Sequence, residues 1–273
     1  MLVGWATTQN NLGGALSTQG ERLGGAAGAS MLEEAVSAYR AALSVFTQEE
    51  LPIEWARTQT NLGTALDTQS KQLVGAAWTA KLEETVMAYR FALQVQTEQK
   101  SPVDWATTQN NLGNALQAQG ALLDSAARAK KLDEAVTAYC AALRVRTEVE
   151  SPADWATTQN NLGNAMCRQS SLLHDAAGAV KLTEAIIAFG AALRVRTERQ
   201  MPVHWAITRK NLAIAHTLLS ECWQDQAARH LLEAEAALLD ALRVFTHEHM
   251  PYEHDTATML LANIRARLYA LEG

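Results

Sequence analysis

Between Trp105 and Ala118 the residue types divide into two arcs when each is advanced by the roughly 100° per residue of an α-helix. Ala115, Thr108, Leu112, Trp105, Leu116, Gln109 and Gly113 share one arc, and Gln117, Asn110, Asn114, Thr107, Ala118 and Asn111 share the other. That division predicts an amphipathic helix whose first arc is core and whose second arc is free of the stack. Ser101-Pro102-Val103-Asp104 and Ser151-Pro152-Ala153-Asp154 mark the starts of such helices: serine at the N-cap, proline at the first helical position, an acid two residues on, read as a capping box. A second helix follows, with Leu132, Ala135, Val136, Tyr139, Ala142 and Leu143 on one face. Glu33, Glu34, Glu83, Glu84, Asp133 and Glu134 open these second helices, and Arg144, Arg146, Arg194 and Arg196 close them. The charges suit the helix dipole, which reads the arginines as solvated terminal charges.

The pattern recurs. Trp5, Trp55, Trp105, Trp155 and Trp205 stand 50 residues apart, each opening a phrase such as WATTQNNLGGAL or WATTQNNLGNAL. LEEAVSAYRAAL, LEETVMAYRFAL, LDEAVTAYCAAL and LTEAIIAFGAAL follow in the first four units, and a degraded LLEAEAALLDAL in the fifth. No linker interrupts them, so residues 1–273 read as one domain with units about 1–50, 51–100, 101–150, 151–200 and 201–250, plus a capping helix over about 252–271 in which His254 replaces the tryptophan and Leu260 the asparagine. Gly13, Gly63, Gly113 and Gly163 fall inside helices, where glycine costs about 0.5–1 kcal/mol relative to alanine, so close helix packing is expected there. Ala213 takes that place in the fifth unit. The tryptophans are expected in the core, and Trp78 in a long connection between first and second helices.

NLGNALQAQG followed by LDEAVTAYCAAL resembles a tetratricopeptide repeat. Leu112, Gly113 and Leu116 match its L-G-x-x-Y part, and Ala135, Tyr139 and Ala142 its A-x-x-x-F-x-x-A part. The resemblance covers four full units and a weaker fifth. The family's unit is about 34 residues. Here ten extra residues lie between Gly113 and Ala135, in the connection, and six between Ala142 and Leu162. Lengthened helices with a T-x-N-N-L core are similar to kinesin light chain repeats, and the WATTQNNLGNAL phrase looks like bacterial repeats often fused to caspase-like CHAT domains. No segment of these residues reads as such an effector. The resemblance implies an all-α, open right-handed α-solenoid of five hairpins plus a C-terminal capping helix, with the first helices lining a concave groove.

Composition narrows the function. Hydrophobic residues make up 48% and charged residues 19%, the balance of a folded globular chain. A net charge of −6 argues against a nucleic-acid partner. No apolar run approaches the roughly 18 residues of a membrane span, and the N-terminus lacks a signal pattern. Cys140, Cys167 and Cys222, odd in number and widely spaced, suit buried or half-buried thiols in a reducing, cytoplasmic setting. No nucleophile elbow, phosphate loop or dinucleotide fingerprint occurs, so no enzymatic activity and no cofactor are expected. A closed α/α toroid with catalytic carboxylates at its centre is the enzymatic alternative, and amides stand where those carboxylates would be needed. His247-Glu248-His249 with His254-Asp255 could in principle ligate a metal, but a divergent exposed turn is the simpler reading. His174, His204, His216 and His230 recur at no fixed position and are read as incidental.

The asparagines are the candidate site. Asn11, Asn61, Asn111, Asn161 and Asn211 occur in all five units, Asn10, Asn110 and Asn160 precede three of them, and Asn114 and Asn164 follow two. A row of amides can pair with the backbone of an extended peptide. The column present in all five units serves equally well as a brace between repeats, whereas the preceding one varies to Thr60 and Lys210 and is read as ligand-facing. The neighbouring columns are Thr, Asn, Gln, Ser and Gly, with Arg168 and Lys210 as exceptions, which argues against a clamp for a carboxylate. The expected role is an adaptor that holds a peptide-like segment of a partner protein. A module that regulates a separately encoded effector is the alternative, and the first unit, lacking an N-terminal cap, leaves an end open for self-association.

Overall fold

A computed structural model describes residues 1–173 and 176–272. Among these the fold is all-α, a solenoid of helix hairpins without strands. Its contacts cluster into two compact units, residues 1–145 and residues from 146 on. In the first unit the hairpins are α1 (Leu2–Leu23) with α2 (Gly25–Leu43), α3 (Pro52–Ser70) with α4 (Gly75–Ala92), and α5 (Pro102–Gly120) with α6 (Ser125–Leu143). In the second they are α7 (Pro152–Ser170) with α8 (Ala176–Val195) and α9 (Pro202–Cys222) with α10 (Ala227–Leu242), closed by α11 (Pro251–Glu272). Within each unit every helix packs on the next in the chain. The end of the stack is covered where Ala257, Leu261 and Ile264 of α11 are buried with Leu238 and Phe245.

The extra residues lengthen helices rather than loops. Residues 71–74 and 121–124 are all that separate first from second helices in the second and third hairpins. The expected long connection is therefore corrected: its Ala-rich stretch is helical, as alanine favours, and Trp78 is half-buried inside α4. The joint between one hairpin and the next is a single turn built on a threonine. The N–H of Ser101 donates to the Thr97 carbonyl at 3.0 Å, and that of Lys100 to Thr97 Oγ1 at 3.2 Å. Thr47, Thr147, Thr197 and Thr246 repeat this arrangement. The capping box is corrected accordingly: proline does open α5 and α7, but Ser101 and Ser151 make no side-chain cap. Threonine satisfies the amides ahead of the helix instead.

The glycines are holes for rings. A Cβ on Gly113 would lie 2.6 Å from the Tyr139 ring, and Gly63 meets Tyr89, Gly13 meets Tyr39 and Gly163 meets Phe189 in the same way. Each hairpin thus seats one aromatic of its second helix against bare backbone of its first. In the fifth hairpin Ala213 faces Leu238, and both are fully buried. Trp105 and Trp155 are buried, and Arg144 and Arg194 lie over their rings at 5.2 and 5.1 Å. Trp55 and Trp205 are half-buried. Trp5 departs from expectation at 45% exposed.

One described helix, α8, has the length and mean hydropathy, 1.5, of a membrane span. It packs between α7 and α9, with Leu182, Ala185, Phe189 and Ala192 buried, as a core helix does.

Candidate functional site

The asparagine columns sit at the junctions between successive first helices. In the first unit Asn61 Nδ2 donates to Asn10 Oδ1 at 3.2 Å, and Thr58 Oγ1 donates to the same oxygen at 3.2 Å. In the second unit Asn211 Nδ2 donates to Asn160 Oδ1 at 3.1 Å. So Asn61 and Asn211 of this column reach back to the preceding repeat, while Asn111 Oδ1 accepts from Asn110 Nδ2 of its own helix at 3.3 Å. Asn110 and Asn160 are only 5% exposed. The expectation that they stand free of the stack is corrected. A helical wheel drawn for one helix has two sides, whereas α7 also packs on α9, whose Asn211 reaches Asn160 and covers that part of the polar arc.

Half-buried positions form a stripe at helical spacing, Thr107, Asn111, Asn114 and Ala118 on α5 and Thr157, Asn161 and Asn164 on α7, continued by the exposed Arg168. Asn61 and Asn211 are half-buried and Asn11 is exposed, while Asn10 is half-buried. Asn114 Oδ1 accepts from the Tyr139 hydroxyl at 2.7 Å, so it also holds the ring in its hole. On α9 the same stripe turns apolar, with Ile207, Ile214 and Leu218 around Asn211. Arg168 is its exposed cation; Lys210 is instead engaged with Glu253 of α11.

A second polar column lies deeper and was not anticipated. Gln96 Oε1 accepts from Thr108 Oγ1 at 2.6 Å, and its Nε2 donates to Thr60 Oγ1 at 3.2 Å. Arg146 donates to Thr158 Oγ1 at 2.9 Å, and Arg196 to Thr208 Oγ1 at 2.9 Å and Thr157 Oγ1 at 3.0 Å. Gln96, Arg146 and Arg196 are all buried. Burial pushes the Arg196 guanidinium down to about 10 and lowers that of Arg146, the latter partly offset by Asp154. The reading of all four LRVRT arginines as solvated charges is therefore corrected for these two. Arg144 and Arg194 do face solvent, paired with Glu98 and Glu148. The signal available in the chain was alternation: Phe46 and Phe245 occupy the same column at its two ends, marking it as interior.

The histidines divide likewise. His174 lies outside the described residues, and His204 is exposed. His216 and His230 meet, with Nδ1 atoms 3.1 Å apart, and Arg229 lies 3.3 Å from His230 Nε2. Burial, then the neighbouring His230, pushes His216 down to about 4; burial and Arg229 lower His230. These two are packing residues rather than incidental ones: His216 stands where Leu16, Leu66 and Leu116 stand in earlier hairpins. His247 and His254 meet edge to face at 5.7 Å, with His254 Nδ1 3.1 Å from Asp255. Among the described residues no three of His, Cys, Asp and Glu gather where one metal ion could be held. Cys140 and Cys222 are exposed, against the expectation of buried thiols, and Cys167 is half-buried, its thiol pushed up to about 12 by burial.

No family model and no curated relative matches this chain.

Proposed function

We propose that this chain is a non-enzymatic, tetratricopeptide-like interaction scaffold of the cytoplasm that holds an extended segment of another protein along the amide stripe of its first helices. The observation that carries the reading is the state of the half-exposed asparagines. Asn61 and Asn211 each commit one amide N–H to the preceding repeat, which fixes the side chain. The carbonyl oxygen and second N–H of each then remain for a ligand backbone, already oriented. Asn110 and Asn160, being buried, are braces and not part of this surface. Threonines and amides dominate the stripe, so the ligand is recognised by its backbone, with apolar side chains accommodated beside Ile207, Ile214 and Leu218.

An unbiased array of overlapping 15-residue peptides, probed with the intact chain, tests this. Asn11→Ala with Asn61→Ala removes two ligand positions, both on the first helices of the first unit. At about 0.5–1.5 kcal/mol per hydrogen bond, binding of a captured peptide should fall roughly tenfold or more, with the fold retained. Capture that ignores the double substitution would place the partner elsewhere.

A further inference from the structure

Arg146 and Arg196 are equivalent buried arginines of the second unit, and only one of them has a carboxylate to answer it. Arg146 donates to Thr158, whose hydroxyl donates in turn to the Asp154 carbonyl in the first turn of α7. The Asp154 side chain works against the lowering of the Arg146 guanidinium by burial. Arg196 donates in the same way to Thr208 of α9, whose hydroxyl donates to the His204 carbonyl, and also to Thr157 of α7. The place of Asp154 is thus taken by His204. The first turn of α9 contains no acid, whereas those of α3, α5 and α7 carry Glu54, Asp104 and Asp154.

Arg196 is 3% exposed, and its Nε is buried without a hydrogen-bond partner. Among the described residues no carboxylate acts on it, and burial alone lowers its guanidinium. A buried cation in this state is unfavourable, so an anion brought near it is stabilising. The way to it lies along the stripe. His204 is exposed and leads the α9 row, His204, Ile207, Asn211, Ile214 and Leu218, as Asp154 leads Thr157, Asn161, Asn164 and Arg168 on α7. The other cations of α9 are engaged, Arg209 with Asp240 and Lys210 with Glu253. Counted as a solvated helix end, Arg196 gives no reason to expect a carboxylate in the groove; buried beneath the stripe, it does.

We propose that the segment held in the groove carries an aspartate or glutamate side chain that lies over the first turn of α9, in the place Asp154 occupies on α7. This rests on the reading of the stripe as a peptide site. There the carboxylate meets the field of Arg196 from beneath and the free N–H groups at the start of α9, where the N-cap residue Met201 makes no side-chain cap. The amides hold the backbone of the segment, and this turn selects one of its side chains.

The probe is the same array of overlapping 15-residue peptides with both ends blocked, printed once as it stands, once with every aspartate and glutamate replaced by its amide, and once with free C-termini. The intact chain should hold the acidic forms about tenfold or more tighter than their amides. His204→Asp gives Arg196 the partner that Arg146 has. It should raise the melting temperature of the unliganded chain and weaken capture of the acidic forms about tenfold, leaving the amide forms unchanged. Arg196→Gln places at Thr208 the glutamine that Gln96 is for Thr108, so the chain should fold and lose the same preference. Equal capture of acidic and amide forms would overturn the proposal while leaving the stripe a peptide site. An acid preference indifferent to both substitutions would put the acid elsewhere and overturn it too. So would capture that needs a free C-terminus, which would give the place to a terminal carboxylate, or a melting temperature that His204→Asp fails to raise. Capture of no peptide in any set would remove the peptide reading itself, and the proposal with it.

Discussion

The third and fifth hairpins are built from equivalent helices and close the same gap with different residues. In the third, Gly113 leaves a hole, the Tyr139 ring fills it, and Asn114 accepts the hydroxyl that the ring brings with it. In the fifth, Ala213 narrows the hole, Leu238 replaces the ring, and Ile214 stands where no hydroxyl needs a partner. Three positions have changed together, two of them 25 residues apart in the chain. The lesson is that volume at this junction is shared: a smaller side chain on the second helix permits a larger one on the first, whereas the amide is not tied to the hydroxyl, since Asn164 stands beside the hydroxyl-free Phe189 of the fourth hairpin. The same hairpin exchanges the buried Leu116 for His216, which needs His230 as a polar neighbour.

The largest way to break the comparison is to empty the hole. Tyr139→Ala should cost about 3–5 kcal/mol, as large-to-small aromatic changes do in cores. Chemical denaturation followed by circular dichroism reads it directly, and an unchanged midpoint would mean the ring is dispensable. Asn110→Ala comes next, at about 1–3 kcal/mol, because truncating a buried amide strands the groups bonded to it. Its counterpart in the fifth hairpin, Lys210, meets Glu253 of α11 instead, so Lys210→Ala should loosen α11 in hydrogen exchange while leaving the earlier hairpins protected.

The histidine exchange predicts a pH dependence confined to the fifth hairpin. His216 is neutral in the fold down to about pH 4. In the unfolded chain it takes up a proton near pH 6.5. The unfolded state therefore binds more protons as pH falls, and stability declines between pH 6.5 and 4, by about 1–3 kcal/mol. His216→Leu, which restores the residue of the third hairpin, should remove that part of the decline. A thermal melt series across this range in both proteins checks it, and parallel curves would contradict it. The smallest effect belongs to the surface. Arg144→Ala loses an exposed pair with Glu98 and a contact with Trp105, and should cost less than about 1 kcal/mol, diminishing in high salt.

Periodicity carried most of the architecture. The eleven described helices, their proline starts and the glycine holes all follow from spacing within the chain. What it did not carry was the third dimension of packing. Asn110 and Asn160 look free on a wheel drawn for one helix, yet both are buried, Asn160 where Asn211 of the next first helix reaches it. Arg146 and Arg196 end their helices as solvated arginines commonly do, yet the chain turns on Thr147 and Thr197 and carries them inward onto Thr158 and Thr208. The threonine turn was itself legible, since Thr47, Thr97, Thr147 and Thr197 recur without exception, but its role depends on hydrogen bonds that repetition alone does not specify. The candidate site was legible as a row of amides, and its division into braces and half-exposed positions was not.

The account rests on the claim that hole and ring are one coupled unit, and a double-mutant cycle on the third hairpin tests it most directly. Gly113→Ala alone drives a methyl into the Tyr139 ring and should cost about 1–3 kcal/mol. Tyr139→Leu alone leaves an unfilled hole and should also destabilise. Together they reproduce the pairing of Ala213 with Leu238, so the double variant should be more stable than the sum of the single losses allows, by about 1 kcal/mol or more. Losses that add to within about 0.5 kcal/mol would show that the two positions pack independently, and would contradict the claim.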